Sequence, residues 1–288
     1  MRLILIYVGE PLRIAASFSA FALIVFLGAG IARADDQPFL TLDATDIEPE
    51  FGHELEQNFS WNHGLSRTDF NEFEGETEWE YGLTDQIQLA LATAYDWSRT
   101  HEHLVPPIAP ESGSEWGGIE GEAIWQAMNV YFDPVGLGFK FNAAAGPSER
   151  SVAATILLQK NFFNDRLRLV TNIGGEFGRE KDGAWSDYSV LTVNAGAAYN
   201  ITWAWSAGIE FDTERDFEGI AFDGHGPQGP TTYYAGPTLQ YVAHPWTATL
   251  GLQAQLPWAS GSAGSVTGGF AAEAARLRVG LRVTRDFY

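Results

Sequence analysis

Glu72, Glu74, Glu76, Glu78 and Glu80 occupy every second position of one short stretch. In an extended strand that spacing turns all five carboxylates to one face. Phe73, Gly75, Thr77, Trp79 and Tyr81 take the other. A row of carboxylates cannot line a dry core unpaired, whereas rings of carboxylates in a wet pore favour cations. Glu54, Glu56, Glu120, Glu122, Glu210, Asp212 and Glu214 stand where neighbouring strands would add to the row. Arg276, Arg278 and Arg282 offer the opposing charge. If the last strand closes against the first, these arginines lie near Glu54 and Glu56, and then near the second strand. Two readings follow: a cation-favouring lumen, or a network of ion pairs that fills a narrow barrel and leaves no conduction.

Other chemistry is weaker. The stretch 212–225 carries Asp212, Glu214, Asp216, Glu218 and Asp223, hard oxygen donors of the type that hold divalent cations. Their spacing matches no calcium loop, and a solvated acidic loop is the expectation. His101-Glu102-His103 lacks an evident third ligand for a metal. A Ser–His hydrolase needs a nucleophile motif that is missing. The six histidines (His53, His63, His101, His103, His225 and His244) fall mostly in loops or at rims, with His53 on an outward strand face. No catalytic residue, metal site or cofactor is assigned, and an enzyme is not expected.

The elements that must position the glutamates are strands. Alternation recurs at 51–61, 87–97, 167–177, 246–256 and 277–287, with apolar or aromatic residues on one face and polar ones on the other. A lipid-facing exterior and a watery lumen satisfy both faces at once. Strands are expected near 50–61, 69–81, 87–98, 117–132, 137–146, 150–161, 167–179, 188–200, 203–215, 231–242, 246–256 and 273–288. Pro237 marks a possible bulge in the tenth. Alternate connections are short (82–86, 133–136, 162–166, 201–202, 243–245). Most of the others are longer (99–116, 180–187, 216–230, 257–272), with 147–149 as the exception. Trp and Tyr gather near strand ends, as interfacial girdles do. The fold class is therefore all-β, a transmembrane antiparallel up-and-down barrel of about twelve strands, with both termini on the short-turn side. A soluble sandwich or lipocalin-like barrel would alternate too, but would not sort its turns this way.

The chain has no cysteine and a net charge of −20, with 37 acidic against 17 basic residues. A nucleic-acid partner is excluded on that balance. Arg2 and Arg13, the apolar run Ile14–Ala29 and Ala32-Arg33-Ala34 form a signal-peptide pattern with cleavage after Ala34. The domain reading is a signal peptide at 1–34, a periplasmic N-terminal segment at 35–49 and an outer-membrane barrel at 50–288. Past the signal, no apolar run is long enough for a spanning helix.

The C-terminal Arg285-Asp286-Phe287-Tyr288 resembles the assembly signal of outer-membrane barrels, although Val279, Leu281 and Val283 are in phase with Phe287 and not with Tyr288. The segment Trp79-Glu80-Tyr81-Gly82-Leu83-Thr84-Asp85-Gln86-Ile87-Gln88-Leu89 resembles the periplasmic turn of a broad family of proteobacterial outer-membrane barrels. Asn200-Ile201-Thr202-Trp203 is a weaker echo. Some members of that family are named as transporters or assigned to a phenol-degradation pathway. The resemblance implies outer-membrane location and solute passage, but no substrate, because the motif is a turn. The expected partners are outer-membrane lipid and lipopolysaccharide, the barrel-assembly machinery through the last strand, and a small solute. The leading function is an outer-membrane channel with an acidic, cation-favouring lumen. The alternatives are a closed structural or interaction barrel and, third, an outer-membrane lipid-modifying enzyme.

Overall fold

A computed structural model describes residues 37–64, 68–102, 111–221, 230–261, 266–267, 270–271 and 274–287. The signal-peptide region, His103, Asp223, His225 and Tyr288 lie outside the described residues, as do the side chains of His101 and Asp182.

The described residues form fourteen strands: β1 His53–His63, β2 Thr68–Thr84, β3 Ile87–Glu102, β4 Glu111–Met128, β5 Gly136–Ala145, β6 Glu149–Phe162, β7 Leu167–Asp182, β8 Ala184–Asn200, β9 Trp205–Glu218, β10 Thr231–Ala243, β11 Trp246–Gln255, β12 Val266–Thr267, β13 Phe270–Ala271 and β14 Leu277–Phe287. Twelve of them close into one antiparallel barrel in the order β1-β14-β11-β10-β9-β8-β7-β6-β5-β4-β3-β2. The other two, β12 and β13, form a small ribbon in the connection before the last strand. Closure is complete along the seam, from His53↔Phe287 to His63↔Leu277, so the barrel presents no free sheet edge.

Period two sorts the side chains as the alternation predicts. Leu55, Phe59, Phe73, Trp79, Leu91, Trp125, Phe141, Ile173, Ile209 and Leu250 are exposed on the outer wall. That surface is stable only in hydrocarbon, while the ladder satisfies the backbone internally. His53 stacks on Trp79 and Tyr81 on the same outer face.

The connections differ from expectation in detail. Strands β7 and β8 run on to a tight turn at Gly183, so 180–187 is a hairpin and not a long loop. β4 begins at Glu111 and ends at Met128, earlier at both ends than its alternation suggests. Pro237 marks no bulge. The register of β10 on β11 is the same on both sides of it, Ala235↔Ala254 and Thr238↔Gly251. A missing N–H interrupts a ladder bond without adding a residue. Register shifts sit instead on β4 at Gly117 and Gly118, opposite β3, on β2 at Gly82/Thr84 and on β4 at Gln126/Met128. Gly118 has φ +116, a conformation that a side chain disfavours.

Candidate functional site

The barrel interior has two unlike halves. At the short-turn end it is occupied by residues 37–49, the segment expected to be periplasmic. That segment crosses the lumen as a plug. Phe39, Leu42 and Ala44 pack with Val170 and Ala198 in a small buried apolar cluster. Around it, amide side chains hold the plug backbone. Thr45 N–H donates to Gln159 Oε1 at 2.8 Å, and Gln126 Nε2 donates to the Thr45 carbonyl at 2.6 Å. Glu48 N–H donates to Gln88 Oε1 at 2.7 Å. The Asn172 amide, oriented by its neighbours, accepts from Asp43 N–H at 2.8 Å and donates to the Asp43 carbonyl at 3.0 Å. Leu40 N–H donates to Glu210, and Thr41 Oγ1 donates to Asp212 at 2.8 Å. An amide both donates and accepts without carrying charge, so it can saturate a crossing backbone inside a barrel.

Ion pairs add register. Lys140 lies 2.7 Å from Asp43 and 2.9 Å from Glu122. Arg168 approaches Asp46 at 3.9 Å. Arg282 pairs with Glu56 at 3.2 Å and donates to the Leu40 carbonyl at 3.1 Å. Glycines on the inward faces make the space. A Cβ on Gly196 would meet Leu42 and Phe39, one on Gly251 or Gly280 would meet Leu40, and one on Gly136 would meet Thr45. At the base of the plug the Glu48 carboxyl is pushed up to about 7, first by burial and then by the charge of Asp286.

The predicted lumen residues divide between these surroundings. Glu54, Glu56, Glu72, Glu74, Glu76, Glu78 and Glu80 face inward in register: Glu54↔Glu80, Glu56↔Glu78, Asn58↔Glu76, Ser60↔Glu74 and Asn62↔Glu72. Between this wall and Glu120 and Glu122 of β4, strand β3 presents only Ala90, Ala92 and Ala94. The small side chains leave a cavity of about 110 Å³ under the plug, where Glu54, Glu56, Glu78, Glu80, Glu120 and Glu122 meet Lys140 and Arg282. Polar partners share out much of the row: Asn62 donates to Glu72 at 3.1 Å and to Glu74 at 3.0 Å, and Asn142 donates to Glu120 and to Glu122. Glu210 and Asp212 are buried against the plug and share Gln253.

The arginines do not act together. Arg282 makes the expected pair with the first strand. Arg278 stacks over the Tyr234 ring at 3.8 Å, on the other side of β11. Arg276 precedes β14 and stacks over Phe270 of the short ribbon at 3.8 Å. The flat guanidinium suits an aromatic face as well as a carboxylate. The acidic stretch from Asp212 to Glu218 is no loop; it is the far half of β9, with Glu210, Asp212, Glu214 and Asp216 on its inward face.

Towards the long-loop end the lumen opens. A cavity of about 550 Å³ is lined by Glu120, Glu149, Glu176, Glu180 and Glu214 with Tyr188 and Lys140. The Tyr188 hydroxyl lies between Glu149 and Glu176. A second cavity, of about 680 Å³, sits directly on the plug, between Leu40, Thr41 and Asp43 below and Glu74, Asp96 and Arg278 above.

Sequence reasoning missed the plug and its glycine sockets. Phe39, Leu40 and Leu42 were a signal, because three large apolar residues have no reason to cluster in a solvated leader.

Comparison with known proteins agrees with this architecture. The COG4313 outer membrane channel from Pseudomonas putida F1 superposes with a TM-score of 0.60 at 14% identity, covering 85% of this chain and all (100%) of that one. The NanC porin gives 0.50 at 9% identity, over 82% of this chain and 99% of its own. The β-domain of the Bordetella autotransporter BrkA gives 0.50 at 10% identity, over 83% and 100%. At such identities the likeness is one of fold. No curated protein matches the chain. Residues 31–277 match the model described as a family of unknown function (DUF6662), and the chain belongs to that family.

Proposed function

We propose that the protein is an outer-membrane channel for a small cationic or dipolar solute, closed at rest by its own N-terminal segment. The observation that carries this reading is the division of the lumen. The barrel wall closes without help from residues 37–49, and those residues are held mainly by hydrogen bonds and ion pairs to inward side chains. Such contacts can be exchanged for water when the segment leaves, so the plug can move without unfolding the wall. Above it, the acidic vestibule would concentrate cations. The fold shared with an outer-membrane channel agrees with this. In this reading residues 1–34 are removed after Ala34, outer-membrane lipid and lipopolysaccharide surround the aromatic exterior, and the last strand engages the assembly machinery.

The plug itself favours a second reading, a barrel that stays shut and serves a structural or interaction role. Planar-bilayer recording separates the two. The refolded chain starting at residue 35 is expected to show low or intermittent conductance. A variant lacking residues 37–47 is expected to show steady, cation-selective steps. A folded deletion variant that passes no current would leave the closed barrel as the function.

A further inference from the structure

We infer that Glu48, Glu54 and Asp286 form a binding site for a divalent cation of the calcium or magnesium class, which latches the plug to the seam between the first and last barrel strands. This goes beyond the channel reading and stands whether or not the barrel conducts.

Register brings the three together. Glu54 on β1 is the direct cross-strand partner of Asp286 on β14 and of Glu80 on β2. Like charges placed directly opposite repel. The plug then adds Glu48, and one carboxylate oxygen from each of Glu48, Glu54 and Asp286 lies within 4.8 Å of the others. Glu48 is 3% exposed, and its Oε2 is buried with no hydrogen-bond partner. The adjacent Gly52 allows this approach, since a Cβ there would come within 2.6 Å of that oxygen. A buried carboxylate oxygen aimed at two further carboxylates needs a proton or a cation.

Arg282 serves Glu56. His244 lies 3.4 Å from Asp286 and can offset one carboxylate of the trio. A second trio, Glu54, Glu56 and Glu80, shares Glu54. There, however, Arg282 already neutralises Glu56 and Gln88 donates to Glu80. The ion therefore belongs on the Glu48 side. Calcium accepts irregular sets of carboxylate oxygens completed by water, which suits a site made from a strap and two strands.

The test uses the whole chain from residue 35, refolded free of lipopolysaccharide and stripped with chelator. Binding of radioactive calcium is measured by equilibrium dialysis, and folding is checked by heat-modifiable electrophoretic mobility. The parent is expected to hold calcium in a class of site that Glu48→Gln weakens by about tenfold or more. Asp286→Asn should do the same, and Asp133→Asn in the exposed turn after β4 should not. Calcium held by other lumen acids is common to parent and variant, so the difference between them is the readout. Glu48 lies outside the barrel strands, so its variant keeps the measurement possible if Asp286→Asn fails to fold. No binding by the parent at millimolar calcium, or equal binding by parent and Glu48→Gln, overturns the assignment.

Discussion

The two ends of the lumen meet charge in opposite ways. At the short-turn end, Gln88, Gln126, Gln159 and Asn172 offer neutral amides, and a length of main chain lies across them. At the long-loop end, Glu149, Glu176, Glu180 and Glu214 surround open space. Amides fix a backbone because each can give and take a hydrogen bond. Carboxylates only accept, repel one another and stay hydrated. A lumen built this way is filled and specific at one end and open and adjustable at the other.

Removing a buried lumen arginine and an exposed one on the outer face should give the largest contrast. Arg282 and Glu56 are both buried, with side chains 9% and 6% exposed. Arg282→Met strands a buried carboxylate and a plug carbonyl, and should cost about 3–5 kcal/mol in guanidinium unfolding of the refolded barrel. Arg179 pairs with Asp187 at 2.6 Å near the Gly183 turn, but the two side chains are 57% and 45% exposed. Arg179→Met should cost about 1 kcal/mol or less. Equal losses would mean that the Arg282–Glu56 pair is as hydrated as one on the outer face.

A smaller effect should follow from filling a socket. Gly251→Val places methyl groups where Leu40 packs. Overpacking of that kind costs about 1–3 kcal/mol, and here the loosely tethered plug should give way before the wall does. The chain has no cysteine, so a single Leu42→Cys can report the outcome. Its thiol should resist a water-soluble maleimide in the otherwise unchanged protein and react readily with Gly251→Val added. A thiol that stays protected in both would show the plug to be as rigid as the barrel.

Much of this architecture was legible in the sequence. Strict alternation in 72–81 placed five glutamates inside and Trp79 and Tyr81 outside, because a strand has no other option. Strand number and the sorting of most turns followed from the same period. The plug was not legible, because residues 37–49 have no periodicity; what fixes them is complementarity to side chains up to about 240 positions away, such as Arg282 against Leu40. Arg278 departs from the expected pairing for a related reason. Register fixes which residue is beside which, but a long side chain chooses among neighbours, and Arg278 took the Tyr234 ring.

The mildest change should be the neutralisation of Glu74, Glu76 and Glu78 to glutamine. These three span the boundary between the halves: Glu74 lines the cavity above the plug, Glu78 the small one below it, and Glu76 both. Glutamine keeps the shape and adds a donor, so stability should change by no more than about 1 kcal/mol, and upward if mutual repulsion now strains the wall. With the plug intact, little current is expected to change. In the barrel lacking residues 37–47, the reversal potential in a salt gradient should move towards that of a non-selective pore. If selectivity is unchanged in that open barrel, the remaining acids of the vestibule, Glu120, Glu149, Glu176 and Glu214, set it alone. The glutamate row would then serve only the plugged half, by shaping the bed on which the segment lies.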